Sequence, residues 1–225
     1  MFFKFYLLLP LEKIKMQYNY ITIEGCIGAG KTTLCNRIAH DFKAKLILEQ
    51  FEENSFLPKF YDDPIHYAFP LEMSFLAERY NQLKHLLSHG DLFASFTIAD
   101  YFIDKCIIFS ENNLQTDEFQ LYRKLFDIIT NFLPKPELLV YLYKEENLLI
   151  ENIKKRGREY EKNIAREYLV NIQKGYLEYL KSIKNTPILI IDTNNIDYLT
   201  SENDYQKIVS IIGSKYENGI HRIIP

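Results

Sequence analysis

The sequence predicts an α/β protein: a doubly wound sheet of about five parallel strands, helices on both faces and an arginine-bearing lid. Three observations predict it. Short apolar runs alternate with helix-like patterns along the whole chain, which calls for a parallel sheet covered on both sides by right-handed crossovers. The first such run, Tyr20-Ile21-Thr22-Ile23-Glu24, leads into Gly25-Cys26-Ile27-Gly28-Ala29-Gly30-Lys31-Thr32 and then a helix start at Thr33. A basic turn, Lys154-Lys155-Arg156-Gly157-Arg158, ends a later helix.

The glycine-rich stretch has the pattern G-x-x-x-x-G-K-[ST] between strand and helix, the signature of a phosphate-binding P-loop. Glycines let successive N–H groups of the loop, from Gly25 through Gly28, Ala29 and Gly30 to Thr33, turn toward phosphate oxygens. The helix N-terminus adds partial positive charge. Lys31 adds a full charge, and the Thr32 hydroxyl can hold Mg²⁺.

The elements follow in order. The first helix ends near Phe42, and Lys45 to Leu48 is a second strand closed by Glu49. Phe51 to Tyr61 reads as a polar, aromatic connection broken at Pro58, and Pro64 can open the next helix. Met73, Leu76, Tyr80, Leu83 and Leu87 form one apolar helical face over 72–89, closed by Gly90. Leu92 to Ala99 reads as a strand with Asp100 at its end, and 101–110 and 116–133 as helices stopped by Pro134 and Pro136. Leu138 to Tyr143 is a continuous apolar run, as the centre of a parallel sheet requires. Helices over 145–155 and 163–184 precede a last strand, Ile188 to Asp192, and a closing helix near 203–214.

A length of 225 residues, 47% of them hydrophobic, suits one domain with a full core. The net charge of −3 gives no reason to expect nucleic acid or an anionic membrane as partner. Cys26, Cys35 and Cys106 lack zinc spacing and are odd in number, which points to free thiols in a reducing, cytoplasmic setting. Residues 1–15 read as a leader or non-native extension: the apolar start is too short to span a membrane and Pro10 interrupts it. Residues 16–225 are then one catalytic domain.

Within P-loop proteins, the chain has neither the N-K-x-D nor the D-x-x-G pattern of a GTPase, and no apolar strand ends in Asp-Glu as in a motor ATPase. A small phosphotransferase remains, and Arg156 and Arg158 around Gly157 supply the lid that such enzymes close over the transferring phosphate.

These residues carry a resemblance. The P-loop, Glu49, Leu57-Pro58-Lys59-Phe60-Tyr61, Phe69-Pro70-Leu71-Glu72-Met73 through Arg79-Tyr80, Ala99-Asp100-Tyr101 and Arg156-Gly157-Arg158-Glu159-Tyr160-Glu161 run in one order with one spacing. The chain resembles bacterial deoxynucleoside kinases of the deoxyguanosine and deoxyadenosine type, in the family of the animal deoxycytidine and deoxyguanosine kinases. The resemblance implies transfer of the ATP γ-phosphoryl group to the 5′-hydroxyl of a deoxynucleoside, with Mg²⁺, in nucleotide salvage and commonly as a homodimer. Glu49 would be the general base, a role a strand-end carboxylate also suits on chemical grounds. Arg79 would stand beside it, Lys31, Arg156 and Arg158 would stabilise the moving charge, and Thr32 and Asp100 would face the metal. Tyr61 and Glu161 would share the sugar 3′-hydroxyl, and Glu72 would read the base. An ionised Glu72 only accepts hydrogen bonds, which suits the two adjacent N–H donors of guanine and places deoxyguanosine slightly ahead of deoxyadenosine.

Two departures stand out. The resemblance leads one to expect an arginine after Asp100, where Tyr101 stands, and a further lid arginine where Asn152 stands. Phe51, Phe69 and Phe75 are candidates for a wall against the base, though core packing explains most aromatic residues. The sequence allows two other readings. A nucleoside monophosphate kinase would need arginines on the acceptor side, and between residues 49 and 79 only Arg79 is present. A non-catalytic nucleotide sensor would not need Lys31, Glu49, Arg79 and both lid arginines together.

Overall fold

The computed structural model describes residues 14–50, 54–88, 94–162 and 164–225. Residues 1–13, most of the expected leader, lie outside them, as do Phe51, Gly90 and Leu92. Six strands form one fully parallel sheet: β1 (Tyr20–Gly25), β2 (Lys45–Ile47), β3 (Thr97–Ala99), β4 (Leu138–Tyr143), β5 (Pro187–Asp192) and β6 (Gly219–Ile223). Their order is β2-β3-β1-β4-β5-β6. The chain therefore winds outward from β1 in one direction, returns, and winds outward in the other. β3 and β4 flank β1, and the crevice at the strands' carboxyl ends beside β1 is where such sheets bind ligands.

The strands read as the burial demands. Every residue of β1 is buried, Thr22 and Glu24 included, and five of the six in β4 and in β5 are too; in β4 and β5 near-continuous apolar runs replace alternation. Helices α1 (Lys31–Phe42), α2 (Phe56–Asp62), α3 (Pro64–Ser88), α4 (Lys105–Asn113), α5 (Thr116–Thr130), α6 (Glu146–Arg156), α7 (Arg166–Ser182) and α8 (Glu202–Ile212) cover the sheet and build the acceptor side. Ends are set locally. Gln115 and Glu118 form a capping box at the start of α5, and the Ser201 hydroxyl accepts from the Asp204 N–H at the start of α8.

Several expectations are corrected. Among the described residues the sheet has six strands, against the expected five or so. β6 was not foreseen because it is a half-exposed edge strand whose Gly-Ile-His-Arg-Ile sequence has no apolar run. The stretch before Tyr61 is helical as α2: Pro58 sits in the first turn, where backbone N–H groups have no intrahelical acceptor to lose. The third strand is only Thr97–Ala99, and α4 begins at Lys105 after a turn rather than at 101. α3 starts at Pro64 and continues through Pro70 without a break.

Candidate active site

Two connected openings lie at the carboxyl edge of the sheet. The larger, about 1020 Å³, is lined by Gly28, Gly30, Lys31, Thr32 and Thr33 and by the lid residues Arg156 and Arg158. The smaller, about 110 Å³, is lined by Tyr61, Glu72, Phe75, Arg79, Asn113 and Glu161 among others. Lys31, Thr32, Glu49, Arg156 and Arg158 border both.

The phosphate loop is shaped by contacts only glycine permits. Gly28 has φ +85°, and a Cβ there would stand 2.7 Å from the Leu149 carbonyl oxygen. Gly30 has φ +90°, and a Cβ would stand 2.5 Å from the Tyr198 hydroxyl. That hydroxyl donates to the Ala29 carbonyl at 2.6 Å. Lys31 Nζ donates to the carbonyls of Gly25 (2.9 Å) and Cys26 (3.2 Å), curling back over its own loop. Asn152, where the resemblance had suggested an arginine, instead donates from Nδ2 to the Gly28 carbonyl at 2.9 Å and ties α6 to the loop.

Glu49, just past β2, is the centre of the ionic network. Its Oε1 accepts from Arg79 Nε (2.8 Å) and Nη2 (2.5 Å), and its Oε2 accepts from Lys105 Nζ (2.6 Å). Burial presses the Glu49 carboxyl upward, but Lys105 and Arg79 outweigh burial and hold it at about 2. Sequence reasoning missed Lys105. The sequence drew attention to Tyr101, after Asp100, whereas the second cation on Glu49 comes from the first residue of α4. Arg79 also lies over the Phe75 ring, 4.4 Å from its centroid.

Asp100, at the end of β3, accepts from the Glu49 N–H (2.7 Å) and from the Thr32 hydroxyl (2.5 Å). One carboxylate thus joins the acceptor strand to the phosphate loop. Among the described residues, no group of three or more His, Cys, Asp or Glu is placed to hold a metal. A single carboxylate plus a hydroxyl is a donor set that suits Mg²⁺ when nucleotide phosphates and waters complete its shell.

Behind the loop, Glu24 is fully buried and accepts from the Phe102 N–H (3.0 Å) and the Tyr176 hydroxyl (2.9 Å). Burial pushes its carboxyl up. It braces β1 against α7 under the site.

Glu72 projects from α3 into the small cavity and is 1% exposed. Its Oε1 accepts from Asn113 Nδ2 at 2.7 Å, whereas its buried Oε2 has no partner. Burial pushes this carboxyl up to about 7, against the opposing pull of Arg79 and of the Asn113 amide. Asn113 is a second residue missed by sequence reasoning, because the helix was expected to end at 110. Glu72 and Arg79, about two turns apart on α3, do border the same cavity, as expected.

The lid turn is organised by Glu161, which accepts from Arg156 Nη2 at 2.5 Å and lies 3.6 Å from Arg158 Nη1. Gly157, at φ +72°, ends α6 between the two arginines. Tyr61 stacks on Tyr160 with ring centroids 6.1 Å apart, across from Glu161. Of the aromatic candidates, Phe75 borders the cavity, Phe69 does not, and Phe51 lies outside the described residues.

The glycine-rich loop with Lys31 borders the larger opening and the buried Glu72 borders the smaller one, and comparison with known proteins places the chain in a family. A family model described as deoxynucleoside kinase matches residues 21–216. The chain is 35% identical over 195 residues to the deoxyguanosine kinase of Bacillus subtilis (strain 168), covering 85% of this chain and 94% of that protein. It is 29% identical over 200 residues to the deoxyadenosine/deoxycytidine kinase of the same organism, covering 87% and 92%. The solved deoxyadenosine kinase from M. mycoides with bound dATP superposes with a TM-score of 0.74 at 25% identity, over 86% of this chain and 98% of that one. The chain belongs to the deoxynucleoside kinase family and is an ATP-dependent phosphotransferase acting on a deoxynucleoside.

Proposed function

We propose that this kinase phosphorylates the 5′-hydroxyl of deoxypurine nucleosides, deoxyguanosine ahead of deoxyadenosine. The observation that carries the reading is the buried Glu72 at the end of the acceptor pocket, with one oxygen held by Asn113 and the other unpartnered. A base edge bearing N–H donors satisfies that oxygen. Among relatives, the name deoxyguanosine kinase accompanies 35% identity, and the deoxyadenosine/deoxycytidine kinase 29%.

Each side chain has a physical role in this reading. Glu49 accepts the proton leaving the 5′-hydroxyl. Two cations make it a weak base, but a loose phosphoryl-transfer transition state asks little basicity of the acceptor group, since the hydroxyl acidifies as the new ester forms. Arg79 and Lys105 fix both of its oxygens, so one geometry is presented to the hydroxyl. Tyr61 and Glu161 bind the deoxyribose. Gly25, Gly28, Ala29, Gly30, Lys31, Thr32 and Thr33 hold the ATP phosphates. Arg156 and Arg158 leave Glu161 for the moving γ-phosphoryl group when the lid closes. Thr32 and Asp100 would hold Mg²⁺, which when bound neutralises charge on the β- and γ-phosphates.

A homodimer is part of the proposal. Leu121, Leu125, Ile128 and Phe132 fall on one side of α5 and its extension, with Ile128 73% and Phe132 90% exposed. An apolar stripe of that kind favours a second copy. The three buried, unbridged cysteines support a cytoplasmic setting, and no helix among the described residues is long and apolar enough to cross a membrane.

The test is incubation with ATP, Mg²⁺ and each of the four natural deoxynucleosides, reading 5′-monophosphate formation. The expected products are dGMP and dAMP. Products from pyrimidines alone would overturn the deoxypurine reading.

A further inference from the structure

The acceptor pocket contains a carboxyl group whose two oxygens are not equivalent. Asn113 Nδ2 donates to Glu72 Oε1 at 2.7 Å. An oxygen engaged by a donor is the poorer seat for a proton, so when Glu72 is protonated the hydrogen resides on Oε2. That atom is buried, has no protein partner, and belongs to a side chain lining the pocket. Asn113 thereby keeps Oε1 an acceptor in both charge states. Oε2 alone changes character: an acceptor when Glu72 is ionised, a donor when it is not.

Those two states match two kinds of base edge. Guanine presents N1–H beside N2–H₂, two donors that need two acceptors. Adenine presents N6–H₂ beside the N1 lone pair, and cytosine N4–H₂ beside N3. Both need one acceptor and one donor. We propose that the protonation state of Glu72, fixed to one oxygen by Asn113, selects between the purines: the ionised form takes deoxyguanosine and the protonated form takes deoxyadenosine. This rests on the placement of the base at Glu72 in the function proposed above. It adds that one residue reads both edge types by gaining or losing a proton.

The surroundings permit such a switch near neutrality. Burial pushes the Glu72 carboxyl up to about 7. The groups facing it are Arg79 on its own helix, Lys105 and Cys106 on α4, Tyr122 on α5, Tyr168 on α7, Tyr61 on α2, and Glu49. Burial raises the Cys106 thiol and the three phenols, and Lys105 and Arg79 keep Glu49 low against burial. These leave Glu72 as the group in that set that changes charge in the neutral range. Glu161, on the sugar side, borders the same cavity.

The experiment is a competition. Equal concentrations of deoxyguanosine and deoxyadenosine, with ATP and Mg²⁺, are offered to the protein between about pH 6 and pH 8, and the ratio of initial product rates is read. Because both nucleosides compete for the same enzyme, every ionisation that affects them equally cancels. The ratio dGMP to dAMP is expected to rise by about tenfold per pH unit, the slope of a single-proton linkage. In Glu72→Gln the ratio is expected to be flat with pH, since an amide presents one donor and one acceptor at every pH. In Asn113→Leu the slope should persist while the whole curve moves toward deoxyadenosine, because a donor that favours the ionised form has gone. A wild-type ratio that changes by less than about twofold overall, against the tenfold-per-unit linkage, overturns the switch while leaving the deoxypurine reading intact. Phosphorylation of neither deoxyguanosine nor deoxyadenosine overturns both.

Discussion

Lys105 Nζ stands 2.6 Å from Glu49 Oε2, on the side of the carboxylate opposite Arg79. Both partners of this pair are only 8% exposed at the side chain, so the charges depend on one another. Lys105→Met should leave one oxygen of Glu49 without its cation and let the carboxylate rotate away from the hydroxyl. The expected loss is on the order of 10²-fold in kcat with a smaller change in KM for ATP, within the usual range for misplaced acid–base groups. Lys105→Arg should restore a large part of the rate. Steady-state kinetics with saturating nucleoside separates the outcomes; an unaltered kcat in the Met variant would remove Lys105 from the site.

Glu161 holds Arg156 at 2.5 Å and borders the pocket with Tyr61. Glu161→Gln should weaken one charge-assisted hydrogen bond to the sugar and loosen the arginine. Such bonds contribute about 1.5–3 kcal/mol, so KM for the deoxynucleoside should rise by roughly 10–100-fold. KM for ATP should move much less. Equal effects on both substrates would mean that Glu161 serves only to order the lid.

The elevated Glu72 carboxyl has a consequence for stability. Its folded value of about 7 lies above the roughly 4.3 of an unfolded glutamate. Between those values the folded protein keeps a proton that the unfolded chain has lost. The contribution is therefore fully present below the unfolded value and is lost as pH rises through about 7. The cost is on the order of 3 kcal/mol for a shift of that size. Glu72→Gln, which retains an oxygen for Asn113, should melt above the wild type at pH 8 by roughly 5 °C or more. The difference should shrink toward pH 5. Parallel thermal melts at the two pH values measure it, and a gap independent of pH would contradict the assignment.

Ile128 and Phe132 project from the outer side of α5 and its extension with most of their surface exposed. Ile128→Asp combined with Phe132→Asp should leave the fold intact, since neither side chain belongs to a core cluster, and should halve the mass seen by light scattering. A monomeric wild type would show that the stripe has no second copy on it.

Much of the candidate site's layout was legible in the sequence because it is built from strand ends and loop motifs whose chemistry demands particular residues. The P-loop, Glu49 and Asp100 sit where β1, β2 and β3 end, and an apolar run followed by a polar residue announces each position. Lys105 and Asn113 were not legible. Both lie on α4, one at each end, and their roles depend on how the turn after Asp100 aims that helix, which no local pattern records. β6 was missed for the opposite reason: its place at the sheet edge needs only half of its side chains to be apolar. Pro58 misled as a breaker because its effect depends on which turn of a helix it occupies.

Asn152 joins α6 to the phosphate loop through the Gly28 carbonyl, and Gly157 then frees the chain beyond the helix. Little more than one turn of α6 separates the side chain that holds the phosphate loop from the turn that carries the two arginines. Loop and arginine turn are therefore anchored to one short stretch of helix, and a substitution that shifts that stretch displaces both together.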